Sequence, residues 1–353
     1  MTPLVRVSLL LAFLLLVTAC SSASGPSRPA ASGSAPTALA NPVLGQGADP
    51  FVVVVDGQYH QLMSAGDGNG LVMRSATSLA TLSTAPEDTI FTGGADGSPC
   101  CEWWAPEVHQ IDGRWYVYVA ADDGDNENHR TYVLSADTIT GPYAFEGRLE
   151  LPGDRWAIDA TVFAVGGTPY TVWSGWPGAK NGKQDLYLAK LDTPTRATGE
   201  AVRISRPELA WETYAGDVGV LVNEGPAALV RDGKVFLTYS GSGCWTPEYA
   251  IGLLTADASA DLLDPAAWVK SPEPVFAPVG GSGLYGTGHN NFFSSPDGQQ
   301  TWIVYHAVTT PAGSCGSDRE VYAQPITFAA DGTPQLGTPT AADVPLPSGD
   351  AGS

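Results

Sequence analysis

The chain alternates short apolar runs with polar turns, and no stretch sustains the 3.6-residue apolar period of a long amphipathic helix. One pattern recurs five times: an apolar run, a turn, and a second run rich in aromatic and β-branched residues. The copies read FVVVVDGQYHQLMS, EVHQIDGRWYVYVAA, TVFAVGGTPYTVWS, AALVRDGKVFLTYS and FFSSPDGQQTWIVYH. Asp-Gly and Gly-Gly between such runs are strong hairpin signals, because both central residues of a type I′ turn need positive φ. The turns fall at Asp56, Asp112, Gly166, Asp232 and Asp297, separated by 56, 54, 66 and 65 residues. Further strand-like text follows, as in TYVLSAD, DLYLAKL and AIGLLTAD, so each unit has room for four strands. Five such units predict an all-β fold, a five-bladed β-propeller. A β-sandwich or β-helix, the main rivals, does not need such long, regular units of paired hairpins.

In a propeller the first strand of every blade lines the central channel, so equivalent positions form a ring around the axis. Seven or eight residues before the turns stand Asp49, Ala105, Asp159, Glu224 and His289. The spacing predicts that three carboxylates and one imidazole converge at one mouth. The second strands return to the same end and bring Ser64, Ser174, Ser240 and His306 to the rim. Singly, each ring residue has an ordinary explanation, such as a turn at Asp49-Pro50 or a core histidine bonded to a carbonyl. Jointly they do not, since gathered like charges cost stability and are kept mainly where catalysis or a cation uses the field.

Composition sharpens this picture. Of 353 residues 43% are hydrophobic and 15% charged, enough for a large core and too little charge for a disordered chain. Gly 41 and Pro 28 are dispersed, as many turns require. The net charge of -20 repels phosphate backbones and anionic lipid, so no nucleic-acid partner is expected. Three carboxylates without thiols or an EF-hand-like loop suit two-carboxylate glycoside hydrolysis, the third carboxylate keeping the acid protonated by repulsion. Trp103, Trp104, Trp176 and Trp245 fall on mouth-side loops where sugars could stack, whereas Trp115, Trp173 and Trp302, inside strands, read as core.

The segments Ala48-Asp49-Pro50-Phe51, Trp104-Ala105-Pro106-Glu107-Val108, Ala157-Ile158-Asp159-Ala160, Val222-Asn223-Glu224-Gly225-Pro226 and Gly288-His289-Asn290 resemble glycoside hydrolase family 43. Within it the chain looks like the secreted α-L-arabinofuranosidases, and Tyr239-Ser240-Gly241-Ser242 and Gly252-Leu253-Leu254-Thr255 continue the likeness, over about 41–339. The resemblance implies an inverting mechanism with Asp49 as general base, Glu224 as general acid and Asp159 as pKa modulator. It implies that Trp103, Trp104, Ile158, Ser174, Trp176 and Arg319 contact substrate, and that His289 sits on the axis beside a calcium or a water cluster. No cofactor is required, a structural calcium being the one candidate. The implied substrate is plant cell-wall arabinan or arabinoxylan, attacked from chain ends by a monomeric enzyme; β-xylosidase and endo-arabinanase are the alternatives. A non-catalytic, lipid-anchored sugar-binding propeller would be expected to lack the acid or the base, and here all three carboxylates are present.

At the N-terminus Arg6 precedes an apolar stretch, 7–17, too short to span a bilayer but suited to a secretory signal. Val17-Thr18-Ala19-Cys20 resembles a bacterial lipobox, which would make 1–19 a signal peptide and Cys20 a lipidated terminus; ordinary cleavage beside an incidental cysteine is the alternative. Residues 20–40 then read as a flexible Ser/Ala/Pro tether, 41–345 as the catalytic domain and 346–353 as a tail. The expected location is exported, anchored by lipid at the outer face of the bacterial cytoplasmic membrane or released, with no other membrane contact. Cys100, Cys101, Cys244 and Cys315 lack zinc-site spacing, and an oxidising compartment permits disulfides. Adjacency of blades four and five favours Cys244 with Cys315, leaving Cys100 and Cys101 as a vicinal bridge or two thiols.

Overall fold

The turn chemistry is realised at four of the five hairpins. Asp56-Gly57, Asp112-Gly113, Gly166-Gly167 and Asp232-Gly233 all have positive φ at both positions, between 50° and 82°, the requirement of a type I′ turn. In the fifth, Ser294 pairs with Thr301, so Asp297-Gly298 lies within a wider loop. That loop is held instead by Asp297, which accepts from Ser295 and Ser348 at 2.8 and 2.7 Å.

The computed structural model describes residues 38–94 and 97–351; the expected signal peptide and Cys20 lie outside the described residues. After β1 (Ala38–Leu39) come five meanders of four antiparallel strands each, the third and fourth joined into one eight-stranded sheet by a short parallel pairing of Lys183 with Leu221 and Gln184 with Val222. The first comprises β2 (Phe51–Val55), β3 (Gln58–Ser64), β4 (Gly70–Ala76) and β5 (Glu87–Thr92). The second comprises β6 (Cys101–Ile111), β7 (Arg114–Asp122), β8 (Arg130–Ala136) and β9 (Ala144–Arg148). The third has β10 (Ala157–Val165), β11 (Thr168–Gly175), β12 (Lys183–Thr193) and β13 (Arg196–Ser205), and the fourth β14 (Leu221–Arg231), β15 (Lys234–Gly241), β16 (Ala250–Asp257) and β17 (Val269–Lys270). The fifth has β18 (Tyr285–Ser294), β19 (Thr301–Val308), β20 (Glu320–Phe328) and β21 (Pro334–Gln335), and β22 (Val344–Pro345) follows. The fold is all-β. Helical structure among the described residues is confined to 3-10 turns of three to six residues.

The first strands touch in cyclic order, β2 with β6, β6 with β10, β10 with β14, β14 with β18, and β18 with β2. The apolar faces follow the same order. One core cluster joins Phe51 and Leu62 to Val108 and Val117, and others join the second meander to the third, the third to the fourth, and the fourth to the fifth. The cluster between the fifth and first includes Trp302, Tyr59, Leu39 and Leu346, from opposite ends of the described chain. There β1 pairs with β22, and Leu44 pairs with Val321 of β20. The last residues of the expected tether and the first of the expected tail are therefore structural, because Leu39 and Leu346 have apolar surface to bury.

Four first strands carry a bulge near their starts, where register slips between Trp104 and Glu107, Ile158 and Thr161, Glu224 and Ala227, and Gly288 and Asn291. At each bulge one residue takes left-handed φ: Ala105 at 44°, Asp159 at 54°, Gly225 at 54° and His289 at 47°, with Asp49 at 47° just before β2. Bulges re-aim side chains, and such strain in non-glycine residues concentrates at functional sites. This refines the expected ring. The fourth equivalent position is Gly225, while Glu224 lies one residue ahead, paired with Ser240.

Trp302 is fully buried and packs against Phe293 at 6.1 Å between ring centroids. Denaturant unfolding of Trp302→Ala should reveal a loss of about 3–5 kcal/mol; a loss under about 1 kcal/mol would mean that the apolar cluster Trp302 shares with Tyr59 and Leu39, between the fifth and first meanders, carries little of the stability.

Candidate active site

The bulged ends gather charged groups around a cavity of about 420 Å³ whose lining includes Asp49, Asp159, Glu224, His289 and Arg319. Asp49 Oδ1 accepts from Arg319 Nη1 at 2.9 Å and lies 3.1 Å from His289 Nδ1. Burial pushes this carboxyl up, but the Arg319 guanidinium and His289 outweigh it and hold Asp49 well below the usual carboxylate range. The Asp49 backbone N–H donates to His306 Nδ1 at 3.2 Å. That nitrogen is therefore an acceptor, and burial keeps His306 neutral, its pKa lowered to about 4.

Glu224 responds in the opposite direction. Burial first, and then the charge of Asp159, raises its pKa to about 8, against the opposing pull of His289 and a hydrogen bond from Tyr249. The Tyr249 hydroxyl donates to Glu224 Oε1 at 2.9 Å, and its ring stacks on His306 with centroids 5.6 Å apart. Asp159 is raised to about 6, chiefly by burial, which His289 opposes and Asp49 reinforces. Its Oδ2 accepts from the Gly225 N–H at 3.0 Å. A side chain at Gly225 would place its Cβ 3.0 Å from His289 Cγ, so glycine lets the imidazole approach. Burial lowers His289, but Asp49 and Asp159 overcome it and raise its pKa to about 10. Near neutral pH the cavity thus holds ionised Asp49 and Asp159, cationic His289 and Arg319, and a protonated Glu224. Repulsion from Asp159 contributes to that last state, but desolvation is the larger cause.

The other expected site residues divide. Trp104 and Ile158 line the cavity, as does Arg319. Trp104 stacks on the buried His129 at 4.0 Å and donates through Nε1 to Glu102. Trp103 is a correction: adjacent residues of a strand face opposite ways, and it is fully buried against Phe91, its Nε1 bonded to Pro99 O. Trp176 is also buried, stacked at 4.8 Å behind Trp156, and it is Trp156 that lines the cavity. Ser174 is fully buried, and its hydroxyl donates to Asn223 O at 2.9 Å with Gln184 Oε1 at 3.1 Å beside it, so it braces the strand of Glu224 instead of lining the cavity. Cys244 is bonded to Cys315 and Cys100 to Cys101, and the former pair lines the cavity beside Trp245.

Tyr249, Gln184 and Trp156 were not singled out by the sequence. Gln184 lies at the start of β12 and Tyr249 just before β16, both third strands, places marked by no motif. A larger recess of about 600 Å³, lined by Glu107, His109 and Asn291, holds none of the three carboxylates of the ring.

Calcium takes about six to eight oxygens; beside His289 the protein supplies the carboxylate oxygen Asp49 Oδ1, 3.1 Å from Nδ1, so a calcium there would draw most of its oxygens from water. Among the described residues no group of three His, Cys, Asp or Glu could hold a metal ion.

A low carboxyl and a high one, in one cavity with aromatic walls, define the two-carboxylate class of site that cleaves glycosides. The sequence pattern of glycosyl hydrolases family 43 matches residues 39–334, and the chain belongs to that family. An extracellular exo-α-(1→5)-L-arabinofuranosidase of Streptomyces avermitilis is 40% identical over 90% of this chain and 66% of its own length. One of the same description from Streptomyces chartreusis is 38% identical over 77% of this chain and 83% of its own. The crystal structure of an α-L-arabinofuranosidase from Lactobacillus brevis aligns with a TM-score of 0.78 at 35% identity, covering 86% of this chain and 97% of that one. The chain spans slightly under two thirds of the Streptomyces avermitilis relative.

Replacing Asp159 by Asn keeps an acceptor for the Gly225 N–H and removes a negative neighbour of Glu224. Loss of that charge lowers the pKa of Glu224, so its proton leaves earlier as pH rises. The alkaline limb of kcat/KM should move down by about one pH unit and stay above the ordinary glutamate range, because burial persists. An unmoved or raised limb would separate Asp159 from the titration of Glu224.

Proposed function

We propose that the protein is an exported, inverting glycoside hydrolase that removes terminal α-L-arabinofuranosyl residues from arabinan or arabinoxylan. On this reading the five meanders are the blades of a β-propeller and the cavity lies at one mouth of its axis. The observation that carries the reading is the opposite displacement of two carboxyls in one cavity, Asp49 held low and Glu224 raised to about 8. Glu224 donates its proton to the departing glycosidic oxygen. Asp49 takes a proton from the water that attacks the anomeric carbon on the opposite face, so the sugar leaves inverted. Asp159 holds the Gly225 amide and helps to keep Glu224 protonated, and Arg319 and His289 keep Asp49 ionised. No step needs a metal or cofactor.

The choice of arabinofuranoside over xyloside is supported by the descriptions of the relatives at 38–40% identity and of the structural neighbour at 35%. Export is supported by relatives described as extracellular, and attachment through a lipid on Cys20 is part of the proposal. The acidic chain, at -20, suits neutral pentose polymers better than polyuronates.

Acid and base are separable by leaving group. Asp49→Ala should lower kcat/KM by roughly 10²–10⁴-fold on both arabinan and 4-nitrophenyl α-L-arabinofuranoside. Glu224→Ala should lose as much on arabinan but less than about tenfold on the aryl glycoside, whose leaving group departs without protonation. Proton NMR of the first-formed arabinose should reveal the β-anomer. Equal impairment of Glu224→Ala on both substrates, or the α-anomer first, sinks the assignment.

A further inference from the structure

Among the described residues five large apolar side chains are well exposed, and two of them, Tyr214 at 51% and Val218 at 57%, stand four positions apart just before β14. Val218 lines the catalytic cavity together with Val220 and Trp245. Tyr214 stands on backbone tied to the loop that supplies the lining residues Cys244 and Trp245, and aromatic side chains beside a cavity are common ligand contacts.

The backbone beneath these side chains is fixed. Tyr214 N–H donates to Ser242 Oγ at 3.2 Å, Gly243 N–H donates to Tyr214 O at 2.9 Å, and Ser242 Oγ donates to Trp211 O at 2.7 Å. Trp245 Nε1 donates to Ala215 O at 2.7 Å. Gly216, at φ 52°, lies so close that a Cβ there would sit 3.3 Å from Trp245 Cδ1. The segment is thus clamped to the 242–245 loop while the Tyr214 side chain stays half exposed. A rigid backbone presenting an exposed ring can receive a ligand without the ordering cost of a mobile loop.

We infer that Tyr214 and Val218 form a platform at the cavity rim for the sugar on the leaving side of the scissile bond, the main chain of a neutral pentose polymer. A tyrosine ring and a valine offer an apolar face to the C–H face of such a sugar and offer a charged ligand no partner. The inference rests on the hydrolase reading and adds to it a residue pair that separates polymers from small glycosides.

In Tyr214→Ala, kcat/KM on arabinan should fall about tenfold, carried by KM, while methyl α-L-arabinofuranoside, whose leaving group is too small to reach the ring, loses less than about twofold. Val218→Ser should shift the ratio of the two substrates in the same direction. Tyr214→Phe, which keeps the ring, should restore the wild-type ratio. Val269→Ala, on an exposed side chain of β17 outside the cavity lining, should leave it unaltered. Binding is read independently from the Kd for arabinopentaose in a Glu224→Gln background that does not consume it, expected to rise about tenfold with Tyr214→Ala added and not with Tyr214→Phe. Equal losses on both substrates, or an unchanged Kd and polymer KM, overturn the platform. If the wild type releases no arabinose from either substrate, the hydrolase reading falls, and the Kd comparison still decides the platform.

Discussion

Three carboxyl groups share one desolvated cavity because the His289 ring stands among them as a cation. Burial alone would drive all three toward the neutral form. His289 and Arg319 pull Asp49 far down, while Glu224, with Asp159 as a charged neighbour and less compensation, is left high. Two like groups thereby acquire opposite proton states at one pH. Those two states are what a base and an acid on opposite faces of a glycosidic bond require.

The fold's contribution is placement. The bulges of β10 and β18 give Asp159 and His289 left-handed backbone, and the bulge of β14 presents the Gly225 amide to Asp159 and, with no side chain there, leaves space for the imidazole. Behind the acid, Asn223 is tied to Glu212 and to Ser205, at 3.0 and 2.7 Å, and its carbonyl accepts from Ser174. Glu212 is fully buried and paired with Lys270. Glu224 therefore rests on a strand whose neighbours are also hydrogen-bonded, while Asp49, just before β2, is held by Arg319 and by its N–H on His306, so the two carboxyls have little freedom to move apart.

Much of this was legible in the residues themselves. Asp-Gly and Gly-Gly turns located four hairpins to the residue, since only positive φ at both positions suits that turn. They misled at the fifth, where Asp297 organises a wider loop through its side chain. Counting back from the turns found Asp49, Asp159 and His289 and brought Glu224 within one residue; the bulge that offsets it depends on three-dimensional pairing. The tryptophans were harder, because neighbours such as Trp103 and Trp104 have the same composition signal and opposite faces. Tyr249, Gln184 and Trp156 escaped notice because strand starts have no sequence signature, only a location.

The account stands on the proton states of two carboxyls, and these are directly observable. A ¹³C NMR pH titration of protein labelled in its side-chain carboxyls, assigned with Glu224→Gln and Asp49→Asn, should find Glu224 titrating at about 8 and Asp49 well below the ordinary carboxylate range. A Glu224 already ionised below about pH 5, or an Asp49 that still holds its proton at neutral pH, would contradict it.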